Sequence, residues 1–157
     1  MNVLARHPSG PGSDAGECLV QYGALPYRRT AGGAIEYLLV TSRRTGRWIL
    51  PKGSRMKGMS APLSAAEEAF EEAGVRGAVE SGPLGSYRTL KQRARIMDVT
   101  VYLFALRVER VYSDWPEKAE RQRRWVSRAD LATLLSDEGA VGLIDAFERD
   151  LGDRRQA

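Results

Sequence analysis

The 157-residue sequence has one cysteine, Cys18, and one histidine, His7. A lone cysteine closes no internal disulfide and builds no cysteine zinc cluster. A lone histidine among Pro, Gly and Ser argues against serine–histidine triads, histidine metal sites and histidine acid–base chemistry. No apolar run approaches the ~20 residues needed to cross a bilayer. Residues 1–17 lack the apolar segment of a secretory leader, and with Pro8, Gly10, Pro11, Gly12 and Gly16 they have little to bury, so a disordered tail is expected there. These absences lead us to expect a cytoplasmic protein, with one folded domain over residues 18–152 and a short C-terminal tail over 153–157. A chain of this length can bury ~70% of its unfolded surface in a single core.

Charge of one sign is also missing. The net charge is +4, but it alternates along the chain: residues 1–60 carry 9 basic and 3 acidic side chains, 61–80 carry 1 and 5, 81–128 carry 11 and 5, and 129–157 carry 3 and 7. A uniformly basic chain would suit a nucleic acid. An acidic island between basic stretches suits instead a phosphate-rich small molecule held by cations and a metal. No Lys/Arg-aromatic pattern of an RNA-recognition motif occurs, which argues against a nucleic-acid partner, and nothing calls for a membrane.

Hydrophobic periodicity supplies the elements. Cys18 to Tyr27 reads as β, a small-residue turn comes next at Thr30 to Ala34, and Glu36 to Ser42 reads as a strand covered on both faces. A short run at Trp48 to Leu50 stops at Pro51, before a loop holding Lys52, Gly53, Ser54 and Gly58. From Ala61 to Ala73 the period turns helical, with Ala65, Ala66, Ala69, Phe70 and Ala73 as the apolar stripe and Gly74 as a left-handed C-cap. Further strands are expected around Ala78, at Gly85 to Leu90, at Ile96 to Val108 and at Arg123 to Val126. Two helices close the chain, one from Arg128 to Leu135, N-capped by Ser127, and one from Gly139 to Leu151. This order predicts an α+β fold, a sandwich around a mixed sheet. Cys18 is expected as a small buried hydrophobe, and Asp145, Glu148, Asp150 and Asp153 as the solvent face of the last helix.

The first long helix carries Glu67, Glu68, Glu71 and Glu72. Side chains three and four apart stand roughly 5–6 Å from one another, so Glu68, Glu71 and Glu72 form one cluster. No lysine or arginine lies between Ala61 and Gly74 to relieve the repulsion. A solvated acidic face is the plainer reading of four glutamates. The loop Pro51-Lys52-Gly53-Ser54 before the helix shifts the balance, because a backbone carbonyl and a lysine can meet the same ion and phosphate. A hard divalent cation takes oxygen ligands and keeps sites for water and phosphate oxygens. The loop is not a P-loop, since no Gly-x-x-x-x-Gly-Lys-Ser/Thr occurs.

Residues Gly53 to Val75 resemble the signature of the Nudix hydrolases: Gly, five residues, Glu, seven residues, Arg-Glu, an aliphatic, any residue, Glu-Glu, any residue, Gly, an aliphatic. Gly53, Glu68, Glu71, Glu72, Gly74 and Val75 occupy their places with the full spacing. Met59 replaces the first glutamate, Glu67 the arginine, and Ala69 is smaller than the usual aliphatic. Glu36 to Val40, Arg47 to Gly53, Asp114-Trp115 and Arg123 to Val126 look like the diphosphoinositol polyphosphate and diadenosine polyphosphate branch.

The resemblance implies a Nudix-type α/β/α sandwich and cleavage of a phosphoanhydride bond with Mg²⁺ as cofactor, or Mn²⁺ in its place. It implies Glu68 and Glu72 as principal metal ligands, Glu71 as a further ligand or the catalytic base, and the carbonyl at Lys52, beside Gly53, as a backbone ligand. In the family the arginine and first glutamate of the signature help orient the helix carboxylates. Their loss here implies either another compensating cation, for which Arg55 and Lys57 are candidates, or an altered metal affinity and activity.

Arg28, Arg43, Arg44, Lys52, Gly53, Arg55, Arg93 and Arg95 are the candidate substrate-binding residues, since guanidinium forks suit multiply charged phosphates. Arg121, Arg123 and Arg124 are similar, with Trp125 beside them as core. The substrate class stays open between a highly phosphorylated small molecule and a nucleoside diphosphate derivative or RNA 5′ end. A Nudix-fold module that binds its ligand without turnover is the non-enzymatic alternative. A monomer and a homodimer are equally compatible with the sequence.

Overall fold

Tyr37, Leu38, Leu39 and Val40 are all fully buried, as a strand covered on both faces must be. In the computed structural model, which describes residues 18–92 and 94–156, they belong to β2 (Ile35–Thr41). The expected tail over residues 1–17 lies outside the described residues, as does Arg93. The chain runs β1 (Leu19–Arg29), β2, β3 (Trp48–Ile49), β4 (Lys52–Gly53), α1 (Ala61–Ala73), β5 (Val75–Val79), β6 (Gly85–Gln92), β7 (Ile96–Val111), β8 (Arg123–Ser127), α2 (Arg128–Leu134), a 3₁₀ turn at Glu138–Ala140, and α3 (Val141–Gln156).

The strands form one mixed sheet in the order β3-β2-β1-β7-β5, with β4 on β1, β6 on β7 and β8 on β2. The β1–β7 pair is parallel and the other pairs are antiparallel. Alternation along the strands sends side chains to two cores. Leu25, Leu39, Val101 and Leu103 meet Leu131, Ile144 and Phe147 of α2 and α3 on one face. Ala24, Leu38, Phe104 and Leu106 meet Ala65, Ala69 and Ala73 of α1 on the other. Helices on both faces make this the expected α/β/α sandwich.

Both ends of α1 and its contact face set where its carboxylates stand. Ser60 N-caps the helix, its side chain accepting from the Leu63 N–H, and Gly74 ends it at φ 67°, ψ 38°, the left-handed cap that glycine reaches without a Cβ clash. The buried stripe is narrower than expected: Ala65, Ala69 and Ala73 are in the core, whereas Phe70 lies outward, edge-on to Tyr112 and under the Arg76 guanidinium. A contact face of alanines lets the helix lie close on the sheet, so its next row of side chains reaches the strand ends.

Other expectations change in the folded chain. Cys18 is exposed rather than buried, because it precedes β1. Lys52 and Gly53 are not loop but a two-residue strand on Gly23 and Tyr22. The last helix is not acidic merely toward solvent: Glu148 accepts from the hydroxyl of buried Tyr37 at 2.7 Å, and Asp145 pairs with Arg128 at 2.7 Å. Trp125 packs on the α1-side core, with Arg28 stacked on it at 3.8 Å.

Candidate active site

Glu68 and Glu72 leave α1 one turn apart and reach the same stretch of main chain, β4. Glu72 is buried and accepts the Lys52 N–H on Oε2 at 2.9 Å. Glu68 lies so close over Gly53 that any Cβ added there would overlap its carboxyl group. Glycine at position 53 thus leaves the Glu68 carboxyl group its space, with no unusual backbone angle involved. Glu71 stands beside them, half-buried.

Burial raises the pKa of all three carboxyl groups. Burial, then the charges of Glu71 and Glu117, pushes the Glu68 carboxyl up from its ordinary 4.5 to about 7. Burial pushes Glu72 up to about 8 even though Arg121 and the Lys52 N–H pull it down. Burial and the neighbouring Glu67 and Glu117 raise Glu71 as well. Among the described residues no three acidic, histidine or cysteine side chains form a ready-made metal cage. Two carboxylates that reach one stretch of main chain are nevertheless a hard-oxygen donor set, and a divalent cation between them would favour the ionised forms that burial disfavours.

The loop between β7 and β8 fixes the end of α1. The last carbonyls of a helix need outside donors, and here each finds one. Glu117 N–H donates to Glu71 O at 3.0 Å, and Tyr112 N–H to Gly74 O at 2.8 Å. Trp115 Nε1–H donates to Glu72 O at 3.1 Å, and Arg123 Nη1 to Ala73 O at 2.9 Å. The Arg123 guanidinium stacks on the Trp115 ring at 3.9 Å.

The same loop brings in two charged groups. Arg121 Nη2 stands 2.9 Å from Glu72 Oε1, with both side chains buried, and 3.3 Å from Glu117 Oε1. Its Nε is buried without a partner, the one such side-chain nitrogen or oxygen among the described residues.

A cleft of about 350 Å³ opens over this constellation, lined by Glu68, Glu71, Glu72, Glu117, Lys52, Gly53, Ser54, Gln21, Pro116, Arg43, Lys91 and Arg121. Of the candidate substrate-binding residues, Arg43, Lys52 and Gly53 are thus brought to it. Lys52 contributes less than expected, because its Nζ is held at 3.1 Å by buried Asp137, which also accepts from Tyr87 and Thr89. Arg28 is taken up by Glu36 and Trp125. Arg55 donates to the Met59 carbonyl. Arg44 and Arg95 are not among the lining residues.

The compensating cations are not Arg55 and Lys57. Arg76 takes Glu67 at 3.1 Å and Arg121 takes Glu72. Sequence reasoning missed Glu117 and the separate role of Arg121. The only signal for either was the Arg-rich run 121–124 after Trp115, where nothing local distinguishes the buried arginine.

No protein-family model matches the sequence. Among curated proteins, the chain is 34% identical over 128 residues to the chloroplastic Nudix hydrolase 21 of Arabidopsis thaliana, covering 80% of this chain and 64% of that protein. It is 32% identical over 103 residues to the diphosphoinositol polyphosphate phosphohydrolase 3-beta of Bos taurus, covering 64% of this chain and 60% of the relative. The chain thus spans slightly less than two thirds of the length of these two relatives. Among solved structures, the C. elegans Ap4A hydrolase superposes with a TM-score of 0.61 at 20% identity, over 86% of this chain and 99% of that one. That likeness shows the fold. With the signature spacing, the carboxylates gathered at β4 and these relatives together, the chain belongs to the Nudix hydrolase family.

Proposed function

We propose that the protein is a Mg²⁺-dependent pyrophosphohydrolase, with Mn²⁺ able to substitute, that cleaves a phosphoanhydride bond in a highly phosphorylated small molecule in the cytoplasm. The observation that carries this reading is the convergence of Glu68 and Glu72 on Lys52–Gly53 at one end of a cleft that also holds Arg43, Lys91 and Arg121. Glu68, Glu72 and the Lys52 carbonyl would hold the metal. Glu71 serves as a further ligand or as the base that takes a proton from the attacking water. Bound metal supplies an acidified water and neutralises oxygens of the phosphate under attack.

The lining favours one substrate class. Among the described residues that line the cleft none is aromatic, so this lining offers no ring on which a nucleobase would stack. The exposed Arg43, paired with Glu117 and Glu120 at the surface, and Lys91 are the wall cations that suit clustered phosphates. This supports a diphosphoinositol polyphosphate over a diadenosine polyphosphate or a nucleoside diphosphate derivative.

A phosphate-release panel of inositol pyrophosphates, diadenosine polyphosphates, nucleotide sugars, ADP-ribose and nucleoside triphosphates, with and without Mg²⁺, tests the reading. Metal-dependent turnover that falls at least ~100-fold in Glu72→Gln supports it. Binding of a panel member without turnover would favour the binding module that Met59 and Glu67 leave open.

A further inference from the structure

Arg121 is held in place by contacts that do not involve Glu72. Its backbone N–H donates to Glu117 O at 3.1 Å, and its Nη1 donates to the Thr41 carbonyl, at the end of β2, at 3.0 Å. The adjacent Gln122 is clamped to the same residue, N–H to Thr41 Oγ1 at 2.9 Å and carbonyl to the Thr41 N–H at 3.0 Å. The guanidinium is therefore a fixed object, with only 7% of the side chain exposed.

Glu72 reaches it at the end of a flexible side chain. Oε1 meets Arg121 Nη2 and Oε2 meets the Lys52 N–H, both at 2.9 Å. One donor on each oxygen sets the carboxylate plane and leaves each oxygen a further lone pair. α1 itself carries no lysine or arginine to do this. The position where the family signature carries arginine is Glu67, which turns away to Arg76.

We propose that Arg121 is the positioning residue for Glu72, taking over from the β7–β8 loop the orienting role that the signature arginine would have at position 67. The inference rests on the reading of Glu68 and Glu72 as metal ligands. Arg121 acts through Glu72, and its planar fork matters because Nη1 and Nη2 must serve Thr41 and Glu72 at once, which the point charge of a lysine cannot do.

Mn²⁺ titration of the 157-residue chain, followed by the electron paramagnetic resonance of free Mn²⁺ with circular dichroism as the fold control, tests it. Arg121→Lys, which keeps the charge and loses the fork, and Arg121→Gln are each expected to bind Mn²⁺ about 10- to 100-fold more weakly than wild type while remaining folded. Adding Glu67→Arg to Arg121→Lys is expected to recover most of the loss. Should Arg121→Gln fail to fold, Arg121→Lys decides. Unchanged affinity in a folded Arg121→Lys variant overturns the proposal and leaves a structural ion pair. Tighter binding in either variant also overturns it, because Arg121 would then compete with the metal. No recovery in the double variant overturns the exchange of roles between positions 67 and 121. Absence of Mn²⁺ binding in wild type removes the ligand reading itself, and the proposal with it.

Discussion

The indole N–H of Trp115 donates to the main-chain carbonyl of Glu72 at 3.1 Å, tying the β7–β8 loop to the residue whose carboxylate enters the cleft. The Trp115 ring also covers Gly74, where any Cβ would collide with it. One side chain thus caps the helix and sets the position of a site residue. Trp115→Phe keeps the ring and loses the bond, and is expected to cost about 1 kcal/mol. Trp115→Ala removes the cover as well and should cost more, as urea denaturation of the three proteins would show.

Gly53→Ala separates the site from the fold. The added methyl meets the far end of the Glu68 side chain, which can swing aside, so thermal stability should change by only a few degrees. The displaced carboxylate should lower turnover on the order of 100-fold, since displacements of about 1 Å at a reacting centre have effects of that size. A melting curve and a rate measured on the same preparation check both halves.

Lys52 and Asp137 form a buried pair at 3.1 Å, so Lys52→Met should act mainly on stability. It strands a buried carboxylate, a loss of about 3–5 kcal/mol, while KM for a phosphorylated substrate should stay near wild type. Pairing it with Asp137→Asn should restore much of the stability. A double-mutant cycle by denaturant titration measures the coupling.

Stability of the metal-free protein should fall as pH rises. Glu68 and Glu72 have folded-state pKa values of about 7 and about 8 against an ordinary 4.5, so the native state binds more protons than the unfolded state across that interval. Their contribution to stability is fully present below pH 4.5 and is lost as pH rises through 7 and 8. Divalent metal, binding the ionised pair, should restore stability above pH 8 in proportion to the logarithm of its concentration. Melting temperatures from pH 4.5 to 9, with EDTA and with Mg²⁺, check the sign. Glu68→Gln should flatten the EDTA curve.

Elements whose cause lies within a few neighbouring residues could be read from the sequence. The alanine spacing and Gly74 placed α1 at Ala61–Ala73, matching the folded helix. Ser127 was legible as an N-cap and does accept from the Asp130 N–H. Of the site, Glu68, Glu71, Glu72 and Gly53 could be found because signature spacing on one helix and its preceding loop is a local property.

What only the tertiary structure decided depends on residues far apart in the chain. Lys52 has its Nζ withdrawn to Asp137, 85 positions on, and Arg28 is spent on Glu36 and Trp125, so neither does what its charge alone suggests. Arg121 becomes the partner of Glu72 because β2 and β8 clamp its loop across the end of α1. By itself, then, the sequence determined the helix, its carboxylate row and the glycine that lets them approach the sheet, since backbone periodicity and side-chain spacing act over a few residues. Which cations meet those carboxylates was decided by sheet order and loop packing, since a charge has no partner until the chain closes.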